Sequence, residues 1–273
     1  MAEGLWTAEV IMRILKLVPD TGRYLSRIGV LEPVTVDIMG LNRLIQAHLT
    51  HVPFEALDVW GAGAVPSLEI TDLYQKIVID NRGGYCFELN SLFCSLLKDL
   101  GFEAYLVIAS LLDEAGVPAP PAHSAIVCCL DGQKYFVDVG FGGPVPFGAL
   151  PLKEGTQQGF RLIKEGAFYI LKSVKASEEK FLLRFRDIPA EPVELVPLNF
   201  YISQKPDIHF RKRLLVSQRK EDGSTYTLKG NRLQLRKGDS FSEYPVNDIE
   251  TIRQVLDRCF HIDPDKVPLR ASE

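Results

Sequence analysis

The chain has 273 residues, 46% hydrophobic and 24% charged, an ordinary globular composition with room for two or three packed units. A net charge of −4 gives no electrostatic case for nucleic acid, and no apolar run approaches the roughly 18 residues of a membrane span. The five cysteines (Cys86, Cys94, Cys128, Cys129 and Cys259) form no disulfide framework, and the N-terminus, with Glu3 and Glu9, lacks a basic-then-apolar pattern, so the expectation is a cytoplasmic protein with free thiols.

The first hundred residues read as helices. Val10, Ile11, Ile14, Leu15 and Val18 form a helical stripe over residues 8–18 that Pro19 stops. A second helix is predicted over 21–28, closed by Gly29. A third follows a cap at Thr35 or Asp37, with Leu41, Leu44, Ile45 and His48 on one face. His51-Val52-Pro53-Phe54-Glu55 is irregular, and Thr71 is expected to cap a short helix through Ile79. A further helix starts at Cys86, with Leu89, Leu92, Phe93, Leu96, Leu97 and Leu100 as its stripe and Gly101 as its end.

The period then changes to two. Strands are predicted over 104–112, 124–130 and 134–139, the last two joined by Asp131-Gly132, a strong hairpin turn. Three more are expected over 159–164, 167–174 and 181–186. After Pro197 come a short helix, four strands over 214–218, 225–228, 232–235 and 240–244, and a last helix from about 248 to 260 capped by Asn247.

Two stretches concentrate residues able to do chemistry. In Asn81-Arg82-Gly83-Gly84-Tyr85-Cys86-Phe87-Glu88-Leu89-Asn90 two glycines end an extended approach and a helix begins at the cysteine. Cys86 falls on the buried face of the first turn, where unpaired N–H groups favour a thiolate. Gly83 and Gly84 let a ligand come close to the backbone. The second stretch is the hairpin. A two-residue turn pairs Leu130 with Gln133, which sets Asp138 opposite Ala125 and puts His123 on the same face, about 7–8 Å away along the diagonal and within reach of a His–Asp hydrogen bond. A three-residue turn would put His123 on the other face. From the residues alone two readings stand. In one, Asp138 holds the imidazole, His123 takes the thiol proton and Cys86 is a nucleophile. In the other, a core cysteine and a strand histidine happen to lie near a turn aspartate.

The stretch Arg82-Gly83-Gly84-Tyr85-Cys86-Phe87-Glu88-Leu89-Asn90 resembles the signature of the arylamine N-acetyltransferases. Leu44-Ile45-Gln46-Ala47-His48-Leu49 with Val52-Pro53-Phe54-Glu55 resembles the segment before it. The proline-rich loop Val117-Pro118-Ala119-Pro120-Pro121 ending in His123, and Tyr135-Phe136-Val137-Asp138-Val139-Gly140-Phe141-Gly142, resemble the segments after it. Order and spacing agree from about residue 24 to 143, and the C-terminal part agrees more weakly. Ala56 stands where many members carry asparagine, Ala122 where threonine or glycine is frequent, and the first twenty residues precede the usual start.

The resemblance implies an α+β fold with a cysteine-protease-like core: an N-terminal helical bundle over 1–101, a central β-barrel over 102–196 and a C-terminal α/β lid over 197–273. It implies that Cys86, His123 and Asp138 are a catalytic triad. The implied reaction moves an acetyl group from acetyl-CoA, a co-substrate and not a permanent cofactor, to an aromatic amine, hydrazine or N-hydroxyarylamine through acetyl-Cys86. The Cys86 N–H is a natural donor to the oxyanion. Phe54 and Phe141 are expected to line a dry pocket, Ala119, Pro120 and Ala122 to contact coenzyme A, and Tyr201 and Ser203 to sit near its entry. No metal, nucleic acid or membrane partner is expected. Other readings are an amide synthase of the same architecture acting on a carrier-bound acyl chain, a cysteine hydrolase, and a binding module without catalysis, which the triad argues against. Glu55, Arg82 and Glu88 are read as structural support, and Cys94 as core. His48, His51, His209 and His261 are read as structural, and Arg211-Lys212-Arg213 with Arg219 and Lys220 as solvated surface or an attraction for nucleotide phosphates.

Overall fold

The computed structural model describes residues 17–176 and 178–269. The stripe over 8–18 lies outside the described residues except for its end, where the N–H groups of Leu17 and Val18 donate to the Asp99 carboxylate at 2.9 and 2.7 Å. Helix α1 (Thr21–Arg27) is capped by Asp20 and α2 (Ile38–His51) by Asp37, whose carboxylates accept from Arg23 and Gly40 N–H. Strand β1 (Phe54–Glu55) follows, then a π-helical turn (Asp58–Ala62) and α3 (Ile70–Tyr74), which runs into a second π-helical turn (Gln75–Ile79). This helix begins one residue before Thr71, with Glu69 as its N-cap residue. Among the described residues no side chain accepts from its first-turn N–H groups, and the Ser67 hydroxyl instead accepts the Glu69 N–H at 3.2 Å.

Helix α4 (Cys86–Asp99) is buried on every side from Cys86 to Leu97, more than a one-sided stripe requires. The reason is that a sheet covers one face and α1, α3 and later helices cover the rest. That sheet comprises β2 (Glu103–Leu111), β3 (His123–Leu130), β4 (Gln133–Val137), β5 (Leu150–Pro151), β6 (Gly155–Gln157), β7 (Phe160–Glu165), β8 (Phe168–Lys175) and β9 (Glu178–Phe185). Its order is β5-β4-β3-β2-β9-β8-β7-β6, and it curls into a nearly closed barrel whose edges β5 and β6 are joined by residues 152–154. Period-two alternation sorts the side chains. Val107, Ala109, Ala125, Val127 and Phe136 fill the barrel, whereas Leu106, Ile126 and Cys128 join the helical core around α4. The two faces of these strands therefore serve two cores.

Helix α5 (Pro192–Gln204) starts five residues before the expected Pro197. Pro192 suits the first turn, and the Glu194 carboxylate accepts the Glu191 N–H at 2.7 Å. Pro197 lies inside the helix. After α6 (His209–Lys212), strands β10 (Leu215–Arg219), β11 (Thr225–Lys229), β12 (Arg232–Lys237) and β13 (Ser240–Pro245) form a second antiparallel sheet, and α7 (Ile249–Phe260) closes over it. Asp248, not Asn247, caps α7: its carboxylate accepts the Thr251 N–H at 2.7 Å. Phe54 and Glu55, read as irregular, pair with Ser217 and Val216 and supply this sheet's first strand. Two residues are too few to show a period. Among the described residues no helix is long and apolar enough to cross a membrane.

Candidate active site

Cys86 opens α4 and is 4% exposed. The loop before it is fixed from both sides. The Glu55 N–H donates to the Gly84 carbonyl at 2.8 Å, and the Glu88 carboxylate accepts the Tyr85 N–H at 3.0 Å. The Tyr85 hydroxyl donates to Asn199 of α5. Gly83 has no room for a side chain, since a Cβ would stand 1.9 Å from the Pro53 carbonyl oxygen.

The β3–β4 hairpin has the two-residue turn and the register read from Asp131-Gly132: Leu130 pairs with Gln133 and Ile126 with Val137. His123 Nε2 and Asp138 Oδ2 accordingly lie 2.6 Å apart. The other carboxylate oxygen accepts from Asn90 Nδ2 at 3.0 Å and from the Gly140 N–H at 2.9 Å. Asn90 also donates to the Ser124 carbonyl at 2.7 Å and accepts the Val139 N–H at 3.0 Å. The Ser124 hydroxyl donates to the Cys86 carbonyl at 3.2 Å. Cys86 Sγ lies 3.9 Å from the Ala122 carbonyl oxygen. Burial pulls the His123 imidazole towards its neutral form, but the Asp138 carboxylate and then the Cys86 sulfur outweigh it and raise its pKa to about 10. With Nε2 engaged by Asp138, Nδ1 is the ring nitrogen left for Cys86.

Cys86 and His123 open on an apolar cavity of about 220 Å³ walled by Phe54, Ala122, Phe141, Ile202, Phe210 and their neighbours. Phe141 meets the imidazole edge-on, with ring centroids 5.4 Å apart. The structure thus brings together Cys86, His123, Asp138, Phe54, Ala122 and Phe141. Ala119 and Pro120 lie elsewhere, in an outer groove of about 700 Å³ beside Phe168 and Arg184. Tyr201 and Ser203 do not line the cavity either. The Tyr201 hydroxyl accepts from Lys205 Nζ at 3.0 Å, and Ser203 is fully buried with its hydroxyl donating to the Phe200 carbonyl at 3.2 Å. Each helical step turns by about 100°, so Ile202 faces the cavity while its two neighbours turn away. His209, read as structural, stands on the cavity wall beside Phe210.

Arg82 braces the loop as expected, through Glu55 at 2.8 Å and Asp58 at 2.7 Å. Sequence reasoning missed Lys76, which joins Asp58 and Glu88 at 2.7 Å each. Burial raises the Glu88 carboxyl to about pKa 7 despite that lysine. It also missed Asn90. The available signal was its spacing: four residues after Cys86 in a helix is the same face one turn on.

An N-acetyltransferase family model matches residues 37–267. The chain is 29% identical over 255 residues to an arylamine N-acetyltransferase of Mycolicibacterium smegmatis, an alignment covering 89% of this chain and 92% of that one. The structure of arylamine N-acetyltransferase from Salmonella typhimurium superposes with a TM-score of 0.85 at 26% identity, covering 92% of this chain and 94% of that one. Mycobacterium marinum arylamine N-acetyltransferase in complex with CoA superposes with a TM-score of 0.82 at 27% identity, covering 89% and 93%. With its barrel, its second sheet and its cysteine helix matched over nearly their whole length, the chain belongs to the arylamine N-acetyltransferase family.

Proposed function

We propose that this protein transfers an acetyl group from acetyl-CoA to an aromatic amine, hydrazine or N-hydroxyarylamine in two half-reactions through acetyl-Cys86, with His123 and Asp138 completing a triad. The observation that carries the reading is a thiol and an imidazole sharing one apolar cavity, the imidazole held by a carboxylate at 2.6 Å. In the first half-reaction the Cys86 sulfur, its proton already held by His123, attacks the thioester carbonyl. The tetrahedral oxyanion takes the Cys86 backbone N–H, which has no acceptor inside its own helix. The C–S bond to coenzyme A then breaks and the leaving thiolate takes the proton. In the second, the amine nitrogen attacks acetyl-Cys86 and gives its proton to His123, and the amide leaves as the C–S bond breaks and the starting state returns. Phe54, Phe141 and Phe210 keep water from the acyl-enzyme.

The test supplies acetyl-CoA and a panel of arylamines and reads N-acetylated product. Wild type should form it and Cys86→Ala should not, losing at least about a thousandfold in kcat/KM. Near-normal turnover by Cys86→Ala overturns the mechanism. Acetate release at the same rate with and without amine would make the chain a hydrolase.

A further inference from the structure

The reaction cavity does not end at Phe54 and Phe141. With Gly142 and Gly143, these residues also wall an adjoining cavity of about 430 Å³, whose far side is the β10–β11–β12 face. Antiparallel register sets Phe54, Ser217, Thr227 and Gln234 in one cross-strand row. Arg219, Thr225 and Arg236 form the next row on the same face. Strands lie about 4.8 Å apart and same-face residues about 7 Å apart along a strand, so the two arginines flank Thr225 with Cα atoms about 10 Å apart, one row beyond Phe54.

The charge of this annex is one-sided. Its lining holds two guanidinium groups and no carboxylate. Neighbouring cations of the same sheet are paired, Lys237 with Asp222 at 2.7 Å and Arg232 with Glu243 at 3.4 Å. Arg219 and Arg236 have no ion pair among the described residues. Arg219 lies 3.8 Å over the Phe147 ring with its Nε buried and unpartnered, and Arg236 lies 5.2 Å over Phe241. A cation–π contact with a ring face uses none of a guanidinium's N–H donors, which stay available to an anion.

We propose that this annex binds an anionic group carried by a substrate whose other end reacts at Cys86. The inference rests on the function proposed above. Two sources share the chemistry: the phosphates of the thioester donor, or the carboxylate of an acid-bearing aromatic amine.

Steady-state kinetics of the full chain test it with two matched pairs: acetyl-CoA against a phosphate-free acetyl thioester, and 4-aminobenzoate against its neutral ethyl ester. Arg219→Gln and Arg236→Gln should raise KM about tenfold for the anionic member of one pair and leave its neutral counterpart unchanged, with kcat little altered, because a lost charge-assisted contact is worth about that factor. Selectivity within the donor pair assigns the annex to phosphates, and within the amine pair to a carboxylate. Arg219→Lys should recover most of the loss, and Lys175→Gln, an exposed cation elsewhere, should change nothing. If glutamine variants with a wild-type circular dichroism spectrum treat both members of both pairs as wild type does, the annex is not an anion site. If wild type acetylates no amine with either donor, the proposed function fails, and calorimetry with pyrophosphate and benzoate then decides the annex. Binding weakened in Arg219→Gln supports it, and no binding of either overturns it.

Discussion

Asp138 controls where the proton on His123 resides. The imidazole is almost wholly buried, which by itself favours the neutral ring, yet the carboxylate 2.6 Å away holds its pKa up at about 10 against an ordinary 6.5. A folded-state value above the unfolded one stabilises the fold fully below pH 6.5, and that contribution is lost as pH rises through about 10. Urea unfolding should therefore show wild type losing stability between pH 7 and 9.5. In Asp138→Asn the carboxylate that raises the ring's pKa is gone while burial still opposes its charge, and the slope across this window should flatten. The same variant should lose about a hundredfold or more in kcat/KM, because the amide no longer holds the imidazole in the required tautomer. A slope in Asp138→Asn equal to that of wild type would mean that the carboxylate does not set the charge of His123.

At the scale of elements, the site depends on how closely the start of α4 approaches the chain leaving β4. Gly140 is the point of contact: a Cβ there would stand 2.7 Å from Cys86 Cα and 2.8 Å from Asn90 Nδ2. One of those atoms is helix backbone and cannot rotate away. Gly140→Ala should then cost about 1–3 kcal/mol by overpacking and reduce kcat/KM by about a hundredfold through displacement of Cys86 from His123. Thermal unfolding and kinetics on one preparation read both. The elements that meet here were legible for different reasons. Asp131-Gly132 dictates a two-residue turn, which dictates the register that joins His123 to Asp138. The glycine pair and the leucine stripe announce α4. Other features carry no local signal. Asn90 and Lys76 matter through partners that only folding brings near, and the π-helical turns have no distinguishing period. On α5, Tyr201 and Ser203 flank the residue that faces the cavity, a difference of one step in helix phase.

Across the whole molecule, the last described segment returns to brace the loop that leads into Cys86. Asn81, at φ 55°, donates its side-chain amide to the carbonyl of His261 at 2.7 Å, a bond between residues 180 positions apart. His261 is itself left-handed, at φ 56°, where α7 ends. Lys266 adds an ion pair to Asp80 at 2.9 Å, and its carbonyl accepts from Arg82 at 3.3 Å. Pro268 closes on Gly61 so tightly that a Cβ there would overlap its carbonyl oxygen, at 1.4 Å. These contacts differ in kind, so substitutions should rank them. Asn81→Gly keeps the left-handed backbone without strain and loses one hydrogen bond, about 1 kcal/mol. Asn81→Ala loses the bond and adds left-handed strain, about 2–3 kcal/mol together. Lys266→Ala breaks only a partly exposed pair and should stay within about 0.5 kcal/mol. Urea midpoints at pH 7 give the order directly. Equal values for Asn81→Gly and Asn81→Ala would show that backbone strain at Asn81 has no part in holding the Cys86 loop to the segment that follows α7.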